Sequence, residues 1–446
     1  MRKPIRERAV QQPSDSLTSP LIAELSRARR RTDALFARVP RELLYERPIA
    51  ERHRLTFYIG HLEAFDANLL LREPPAAVQS PAALDRLFAF GIDPVDGQLP
   101  ADKVEDWPPV TDIHRYAAQA RERVDRGLAR TMERRIDGIP LTTLLHTAIE
   151  HRLMHTETLA YMQNRLPLDK PRRPVATRER ELSDDDMVPI HASRATLGTR
   201  PAEEPFAWDN EYQAHEIEVP AFAIDRYMVT NAQFRRFVDA GGYAESRWWT
   251  ADDWRWRSSH SIDHPTSWRK VDGEWRHESL SDLVPFQGDW PVYVSHAEAS
   301  AYARWRGKRL PTEAQWHRAA YGDPNGAERR YPWGAAAPDA TRGNFDFERW
   351  DPAPVDAHPA GASALGVVGL LGNGWEWTST PFAPFPGFQP FTFYPGYSAD
   401  FFDGRHFVLK GGSAHTAARL LRRSFRNWFQ PHYPYPFAGF RCVSDP

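Results

Sequence analysis

The sequence predicts an α + (α+β) chain, in which a four-helix bundle is followed by a domain of low regular content. Its 446 residues are too many for one ordinary hydrophobic core. Up to about residue 166 the apolar residues recur with helical spacing, whereas after about residue 188 the apolar runs are short and Gly, Pro and Trp are frequent. These observations predict two domains of different class.

Four helices are predicted in the first part of the chain. The first starts at Leu21, behind a Ser-Pro start signal, and the others cover Leu55–Leu71, Thr111–Met132, where Thr111 is the N-cap, and Leu141–Asn164. Residues 74–109 are rich in proline and are predicted to form a long irregular crossover. Four helices with polar connections are typical of a bundle.

The predicted boundaries follow changes in composition. Residues 1–17 are polar and predicted to be disordered, the bundle spans 18–166, residues 167–187 have the proline and charge content of a linker, and the second domain spans 188–446. Aromatic packing and loop hydrogen bonds are expected to hold this second domain together. Two helices are predicted in it, Asn231–Ala240 and Ser295–Arg306, and two Gly-Gly turns, Gly241–Gly242 and Gly411–Gly412.

The composition argues against several classes of partner. A formal net charge of −2 gives no electrostatic reason to expect nucleic acid or an anionic membrane, and the arginine-rich run 27–31 is interpreted as a solvated helix face. The single cysteine, Cys442, allows no intrachain disulfide and no cysteine-based zinc site. No apolar stretch approaches membrane-spanning length and the N-terminus lacks a signal-peptide core, so a cytoplasmic protein is expected.

Three histidines stand on apolar helix faces. His151 and His155 are four residues apart and therefore project from the same face of the fourth helix, and His61 lies on a similar face of the second. Imidazoles on core-facing stripes suggest a metal inside the bundle. A histidine on an apolar face is more often an ordinary core residue, so the residues alone leave both interpretations open. The face of the His pair is completed by Leu144, Ala148, Leu159 and Met162.

A series of motifs runs through the second domain: Trp208–Glu211, Met228–Asn231, Gly241–Tyr243, Arg309–Trp316, Gly372–Thr378, Leu409–Ser413 and Phe437–Arg441. Together they resemble the formylglycine-generating-enzyme, or sulfatase-modifying-factor, family, although Gly374 stands where that family usually has Val. The resemblance covers about residues 188–446 and implies a C-type-lectin-like α+β fold. The family's own oxidation chemistry needs a reactive cysteine pair, so a chain with Cys442 alone is not expected to perform it.

The first domain resembles DinB-like four-helix bundles, which bind a metal through three histidines. The fusion of the two domains resembles the hercynine-directed sulfoxide synthases of ergothioneine biosynthesis and the related selenoneine synthases. That resemblance implies a non-haem Fe(II) held by His61, His151 and His155, with O2 as co-substrate, and it passes over His53 and His146. Imidazole ligands would also accept zinc, so the choice of iron rests on the resemblance.

The resemblance also implies substrate-contacting residues in the second domain. Tyr394 matches the tyrosine that donates a proton during the oxygen chemistry, and a phenol can do so without carrying charge at neutral pH. Tyr397 matches a residue on the hercynine side, and Asn427 and Trp428 match hercynine-binding positions, where an aromatic face suits a trimethylammonium group. For each of them an ordinary packing role is the alternative.

The position of the second substrate is where the chain departs from the actinobacterial synthases. Those enzymes have Asp and Arg where this chain has Phe429 and Tyr433, and an aromatic surface is poorly matched to the charged γ-glutamylcysteine. A neutral ligand such as a sugar fits better. The resemblance to the selenoneine synthases, which use a selenosugar, therefore implies a selenoneine synthase, with hercynine and a selenosugar or thiol as small-molecule partners. A sulfoxide synthase using cysteine or γ-glutamylcysteine, a zinc-dependent thiol transferase of the DinB type and a non-catalytic binding module are the alternatives.

Overall fold

The computed structural model describes residues 15–71, 82–89, 100–130, 135–167, 182–183, 185–279 and 282–446. The chain forms two compact units, Met1–Leu159 and Ala160–Pro446. None of the helices described is both long and apolar enough to cross a membrane. The predicted linker, residues 167–187, and the predicted disordered segment, residues 1–17, lie mostly outside the described residues.

The first unit is helical. Three of the four predicted helices are found to within two residues of their predicted ends, and the first begins at Asp15, inside the segment that was predicted to be disordered. Within the described residues its helices are α1 (Asp15–Phe36), α2 (Leu55–Leu71), α3 (Ala82–Ala89), α4 (Val110–Arg130) and α5 (Leu141–Gln163), and a short hairpin joins α4 to α5, made of β1 (Arg135–Ile136) and β2 (Ile139–Pro140). The last turn of α5 groups with the second unit.

Helix α3 was not predicted, since the whole segment 74–109 was expected to be irregular. It is a short helix between proline-rich stretches, and its only signal is the helical spacing of Leu84, Leu87 and Phe88. Phe88 is fully buried, and Asp85 accepts a hydrogen bond of 2.8 Å from the Tyr116 hydroxyl on α4. These two contacts hold α3 against the bundle.

Helix α2 is buried on nearly every side, whereas α4 is amphipathic and buries one stripe that includes Ile113, Ala120 and Val124. A helix surrounded by its neighbours must give each polar side chain a partner, because water is excluded there. The buried polar residues of α2 must therefore have partners inside the unit. They include His61, Glu63 and Asp66.

The interpretation of residues 27–31 as a solvated arginine face is wrong for one of them. Arg27 and Arg30 are exposed, but Arg29 is buried and its guanidinium donates to Asp125 at 2.6 Å and to Asp66 at 3.4 Å. The helical period turns Arg29 inward, beside the buried Ala28. One arginine of the run therefore forms buried ion pairs, although the run as a whole is typical of a solvated face.

The second unit is an α+β domain of short elements, as predicted. Its helices are α6 (Asn231–Asp239), α7 (Ala251–Ser259), α8 (His296–Trp305) and α9 (Glu313–Tyr321). Its strands are β3 (Met187–Ile190), β4 (Ser193–Leu197), β5 (His215–Val219), β6 (Phe222–Asp225), β7 (Trp268–Val271), β8 (Glu274–Glu278), β9 (Leu283–Pro285), β10 (Trp375–Pro381), β11 (Phe407–Lys410), β12 (Asn427–Phe429), β13 (Ala438–Gly439) and β14 (Val443–Ser444).

The strands form small sheets with the orders β12-β11-β10-β13, β14-β6-β3, β7-β8-β9 and β4-β5, and their pairings are antiparallel except for β10 with β13. The two predicted helices correspond to α6 and α8, whereas α7 and α9 were not predicted. Helix α9 begins at a capping box, in which the Thr312 hydroxyl accepts from the Gln315 N–H and Gln315 accepts from the Thr312 N–H. That start signal lay within a family motif and was not read as a helix.

Three of the sequence motifs meet at one buried ion pair in this unit. Arg441 donates to Glu376 through Nε at 2.6 Å and Nη2 at 2.7 Å, and the Trp316 Nε1 donates to the same carboxylate at 2.8 Å. All three side chains are fully buried. The motifs at 309–316, 372–378 and 437–441 therefore have a structural role in the core of the domain.

Candidate functional site

The three predicted metal ligands lie together inside the first unit. His61 comes from α2 and His151 and His155 from α5, and all three are buried. One ring nitrogen of each lies within 4.8 Å of the others, and the Nε2 atoms of His151 and His155 are 3.1 Å apart. Among the described residues this is the one group of three or more side chains with metal-binding atoms so close together.

The spacing of His151 and His155 suits two ligands of a single divalent ion. Two nitrogens that each bind one ion at about 2.1 Å lie about 3.0–3.4 Å apart, which matches the separation in the His pair. Burial lowers the pKa of His61 to about 4, and burial with the neighbouring imidazoles lowers the pKa values of His151 and His155 well below the usual value. All three rings are therefore neutral at neutral pH and keep a lone pair for a metal.

Aromatic rings and one backbone carbonyl orient the ligand rings. His151 stacks on Phe65, with ring centroids 3.5 Å apart and planes 10° from parallel. His61 stacks on Phe57 at 4.8 Å, and its Nδ1 is 2.9 Å from the carbonyl oxygen of Phe88 on α3. An Nδ1–H that donates to this carbonyl leaves Nε2 of His61 as the metal-binding atom.

Gly60 makes the approach of α3 possible. A Cβ on Gly60 would lie 2.5 Å from three ring atoms of Phe88, so only glycine lets this ring pack against α2. The same residue, Phe88, supplies the carbonyl for His61. Sequence reasoning missed this support, because a backbone carbonyl carries no side-chain signal and the only pointer was a glycine next to a ligand.

Replacing Gly60 with alanine is expected to shift Phe88 and loosen His61. We expect a cost in stability of about 1–3 kcal/mol from overpacking, and a loss of Co(II) affinity of about 10–100-fold, as when a ligand's hydrogen-bond partner is lost. Urea unfolding and a Co(II) titration would measure the two effects. Gly127→Ala on α4 is the matched control, because its Cβ would meet the mobile end of Leu71, and a similar affinity loss there would contradict the role of Gly60.

His53 and His146, which were not predicted as ligands, are both half-buried and lie outside the three-histidine group. The His53 ring stacks on Phe57, the residue that also stacks on His61, with ring centroids 4.2 Å apart. This contact accounts for His53 as a packing residue.

Three of the predicted substrate-contacting residues belong to one aromatic cluster in the second unit. Tyr397 stacks on Trp208 at 3.9 Å, and it lies 5.6 Å from the Tyr394 ring and 5.5 Å from the Trp428 ring. Asn427 precedes Trp428 on β12, and its Oδ1 accepts from the Trp428 N–H at 2.9 Å. We call Trp208, Tyr394, Tyr397 and Trp428 the aromatic cluster.

The two predicted donor-binding residues stack on each other. The rings of Phe429 and Tyr433 are 5.2 Å apart and 15° from parallel. Phe429 is half-buried at the end of β12, while Tyr433 is buried and lies 5.0 Å from Tyr435. The two residues therefore form one stacked aromatic pair.

A buried charged network fixes these segments, and the sequence did not reveal it. Glu211 accepts from Arg422 at 2.8 Å and from Ser424 at 2.7 Å, and Arg426, next to β12, donates to Glu313 at 3.1 Å. Lys410 donates to the Phe425 carbonyl at 2.6 Å, and burial lowers its pKa to about 8.

The segment that carries Tyr394 and Tyr397 is held in the same region. Ser398 donates to Asp209 and accepts from the Asn210 amide at 3.0 Å. The Trp208–Glu211 motif therefore holds both the 394–398 segment and the strand that follows Arg422.

Cys442 does not have the surroundings of a reactive thiol. It is fully buried, and burial together with the nearby Asp225 raises its pKa well above the usual value. A thiol held in its neutral form is a poor nucleophile and a poor metal ligand. Cys442 is therefore a small core residue.

Comparison with known proteins agrees with this architecture. Residues 172–446 match the family described as sulfatase-modifying factor enzyme 1-like domain, and residues 24–159 match the DinB superfamily. The chain belongs to the sulfatase-modifying factor family and joins that domain to a DinB-type bundle. The predicted fold class and family resemblance are thereby confirmed.

Several relatives carry functional names. The chain is 47% identical over 255 residues to the hercynine oxygenase of Mycolicibacterium thermoresistibile, and the aligned region covers 56% of each protein. It is 29% identical over 498 residues to ergothioneine biosynthesis protein 1 of Neurospora crassa, covering 91% of this chain and 55% of the relative. It is 32% identical over 278 residues to the formylglycine-generating enzyme of Mycobacterium tuberculosis, covering 54% of this chain and 92% of the relative.

The chain spans little more than half the length of the hercynine oxygenases and ergothioneine biosynthesis proteins that it matches. A solved structure, that of PvdO from Pseudomonas aeruginosa, aligns with a TM-score of 0.39 and 19% identity over 58% of this chain and 94% of PvdO.

Proposed function

We propose that this protein is an O2-dependent, non-haem iron(II) synthase that forms a carbon–selenium or carbon–sulfur bond at the imidazole C2 of hercynine. The observation that carries the proposal is the buried group of His61, His151 and His155 in a chain whose relatives include proteins named hercynine oxygenase. Three neutral imidazoles leave further coordination positions open for substrates. Bound iron would supply the activation of O2.

In this proposal the second unit supplies substrate recognition and a proton. The faces of Tyr397 and Trp428 suit the trimethylammonium group of hercynine, because the negative face of an aromatic ring attracts a poorly hydrated cation. The amide of Asn427 adds a neutral polar contact. Tyr394 donates a proton from its hydroxyl, a role that a phenol can perform while uncharged.

The donor that the stacked pair of Phe429 and Tyr433 favours is a neutral selenosugar. An aromatic surface cannot compensate the carboxylates of γ-glutamylcysteine, whereas it can pack against the apolar face of a sugar ring. The reaction then balances as follows. Hercynine loses the C2 hydrogen, the donor loses its selenol hydrogen, and O2 yields either one water and a selenoxide or hydrogen peroxide and the reduced selenide.

A sulfur donor is the second candidate, and the names of the relatives favour it, since two of them are called ergothioneine biosynthesis protein 1. In that case the S–H bond of the thiol and the C2–H bond break and a C–S bond forms; one oxygen atom of O2 goes to sulfur, and the other leaves as water with the two hydrogens. A zinc-dependent thiol transferase is a third candidate, because zinc also accepts three imidazoles.

The test is anaerobic reconstitution of the full chain with Fe(II), followed by air, hercynine and one donor at a time, with products identified by mass spectrometry. A selenosugar, a thiosugar, cysteine and γ-glutamylcysteine are compared. We expect turnover with the selenosugar, and the mass distinguishes selenoxide from selenide. Coupling with γ-glutamylcysteine alone would contradict the donor assignment, and tight binding of zinc in preference to iron without any coupling would favour the transferase.

The double variant Phe429→Asp/Tyr433→Arg sharpens this experiment. It restores the charged residues of the actinobacterial synthases, so it is expected to lower turnover with the selenosugar and to raise that with γ-glutamylcysteine. Unchanged preferences in the double variant would show that these two positions do not contact the donor.

A further inference from the structure

Four charged side chains lie buried within the helices of the first unit, and three of them are close in sequence to one of the three histidines. They are Arg29 on α1, Glu63 and Asp66 on α2, and Arg152 on α5, and none is more than 4% exposed. Arg152 donates through Nη2 to Asp66 at 2.7 Å and through Nη1 to Glu63 at 3.1 Å, and Arg29 donates to Asp66 at 3.4 Å. We call these four residues the charge cluster.

The charge cluster is not explained by stability. Removing charges from water costs as much as their attraction returns, so a buried ion pair is often no more stable than apolar residues of the same volume. Helix α2 also buries apolar side chains near these carboxylates in sequence, among them Leu62, Leu69 and Leu70. Two arginines and two carboxylates in such a place indicate a role in specifying geometry.

Arg152 connects the two helices that supply the ligands. It follows His151 directly, and its Nη2 also donates to the carbonyl of Leu62, the residue after His61, at 2.9 Å. One side chain thus spans from the backbone beside one ligand to the backbone beside another. Its guanidinium makes bonds of fixed direction to a carbonyl and two carboxylates, which defines the position of α5 along α2 more sharply than apolar packing does.

Arg152 cannot itself bind the metal, because successive residues of a helix point about 100° apart and guanidinium is no metal ligand. The cluster contains two arginines and two carboxylates, so its formal charges balance within the cluster. Its outer members are also paired, since Arg121 on α4 donates to Glu63 at 2.7 Å and Arg29 donates to Asp125 at 2.6 Å. All four long helices of the unit therefore meet at the cluster.

We propose that the charge cluster is the positioning element of the metal centre, and that Arg152 sets the register of α5 on α2 that brings His61 within reach of His151 and His155. The inference rests on the proposed metal site. It predicts that changes in the cluster lower the affinity for metal more than they lower the stability of the fold.

The test uses the full chain and the double variant Arg152→Met/Asp66→Leu, which removes one charge of each sign. We expect its urea midpoint to equal or exceed that of the wild type, while its Co(II) dissociation constant rises by about 10–100-fold and its Co(II) absorption spectrum changes. Arg152→Lys keeps the positive charge but lacks the forked guanidinium that donates to two carboxylates at once, and the affinity of this variant for Co(II) should also fall. Arg54→Met/Asp102→Leu is the control, because it removes an ion pair of 2.9 Å that lies outside the cluster.

The outcomes separate the inference from the proposed function. A wild-type chain that binds neither Co(II) nor Fe(II) overturns the proposed function, and the inference with it. A double variant that binds Co(II) as tightly as the wild type, with the same spectrum, overturns the inference alone. If the double variant does not fold, the folded Arg152→Lys variant decides, since wild-type affinity and spectrum there would leave the cluster a purely structural role.

Discussion

Replacing His151 with alanine is expected to abolish stable iron binding and the activity that depends on it. The change leaves His61 and His155, and two imidazoles cannot hold a divalent ion as three do. Loss of a group that merely orients a ligand typically costs about 10–100-fold in affinity, so loss of a ligand should raise the dissociation constant by more than about 100-fold. Metal analysis after anaerobic reconstitution and a Co(II) titration measure this change.

The matched controls for His151→Ala are His53→Ala and His146→Ala. Both residues are half-buried histidines of the same unit outside the three-histidine group, so these variants should retain metal and turnover. Circular dichroism of the metal-free proteins checks that all three variants fold. Equal loss of metal in His53→Ala and His151→Ala would show that the site had been assigned to the wrong histidines.

The pairing of His151 with His155 could be predicted because its pattern is local, whereas the addition of His61 depended on the family resemblance. His151 and His155 share a helix face through the helical period alone, and the ends of α2 and α5 were predicted within one residue. The supports of the ligands could not be predicted. The Phe88 carbonyl comes from a short helix in a proline-rich segment, and hydrogen bonding by the backbone is independent of residue type.

The charge cluster was hidden for a different reason. A charged residue on a helix is normally solvated, and Arg29 lies in a run of arginines that fits that expectation. The available signal was on α2, where Glu63 and Asp66 occur in a helix that is mostly apolar and buried on nearly every side. A carboxylate in such a stretch needs a buried cation, and this requirement could have pointed to Arg29 and Arg152.

In the second unit the motifs predicted the fold class, but the contacts between distant segments could not be predicted from spacing. Glu211 and Arg422 are 211 residues apart in sequence and share a buried ion pair. Local signals mark where the short helices of this unit start. The capping boxes at Thr230, Ser295 and Thr312 each begin a helix.

The second large effect is expected from Tyr394→Phe, which should lower the rate of bond formation by about 100- to 10,000-fold, the range for loss of a proton donor. Phenylalanine keeps the ring contacts with Trp208 and Tyr397 at 6.4 and 5.6 Å, so the free energy of unfolding should change by no more than about 0.5 kcal/mol. Single-turnover measurements with iron-loaded protein, hercynine and the selenosugar separate this rate from substrate binding.

Tyr331→Phe controls for the loss of a tyrosine hydroxyl elsewhere in the same unit, since Tyr331 is half-buried and stacks on Trp333 at 5.4 Å. Its turnover should equal that of the wild type. Tyr394→Phe also discriminates between the candidate functions, because a zinc transferase needs no proton from this tyrosine. Full turnover of Tyr394→Phe would therefore contradict the oxygen-dependent synthase, whereas a reduced rate at unchanged metal content and stability supports it.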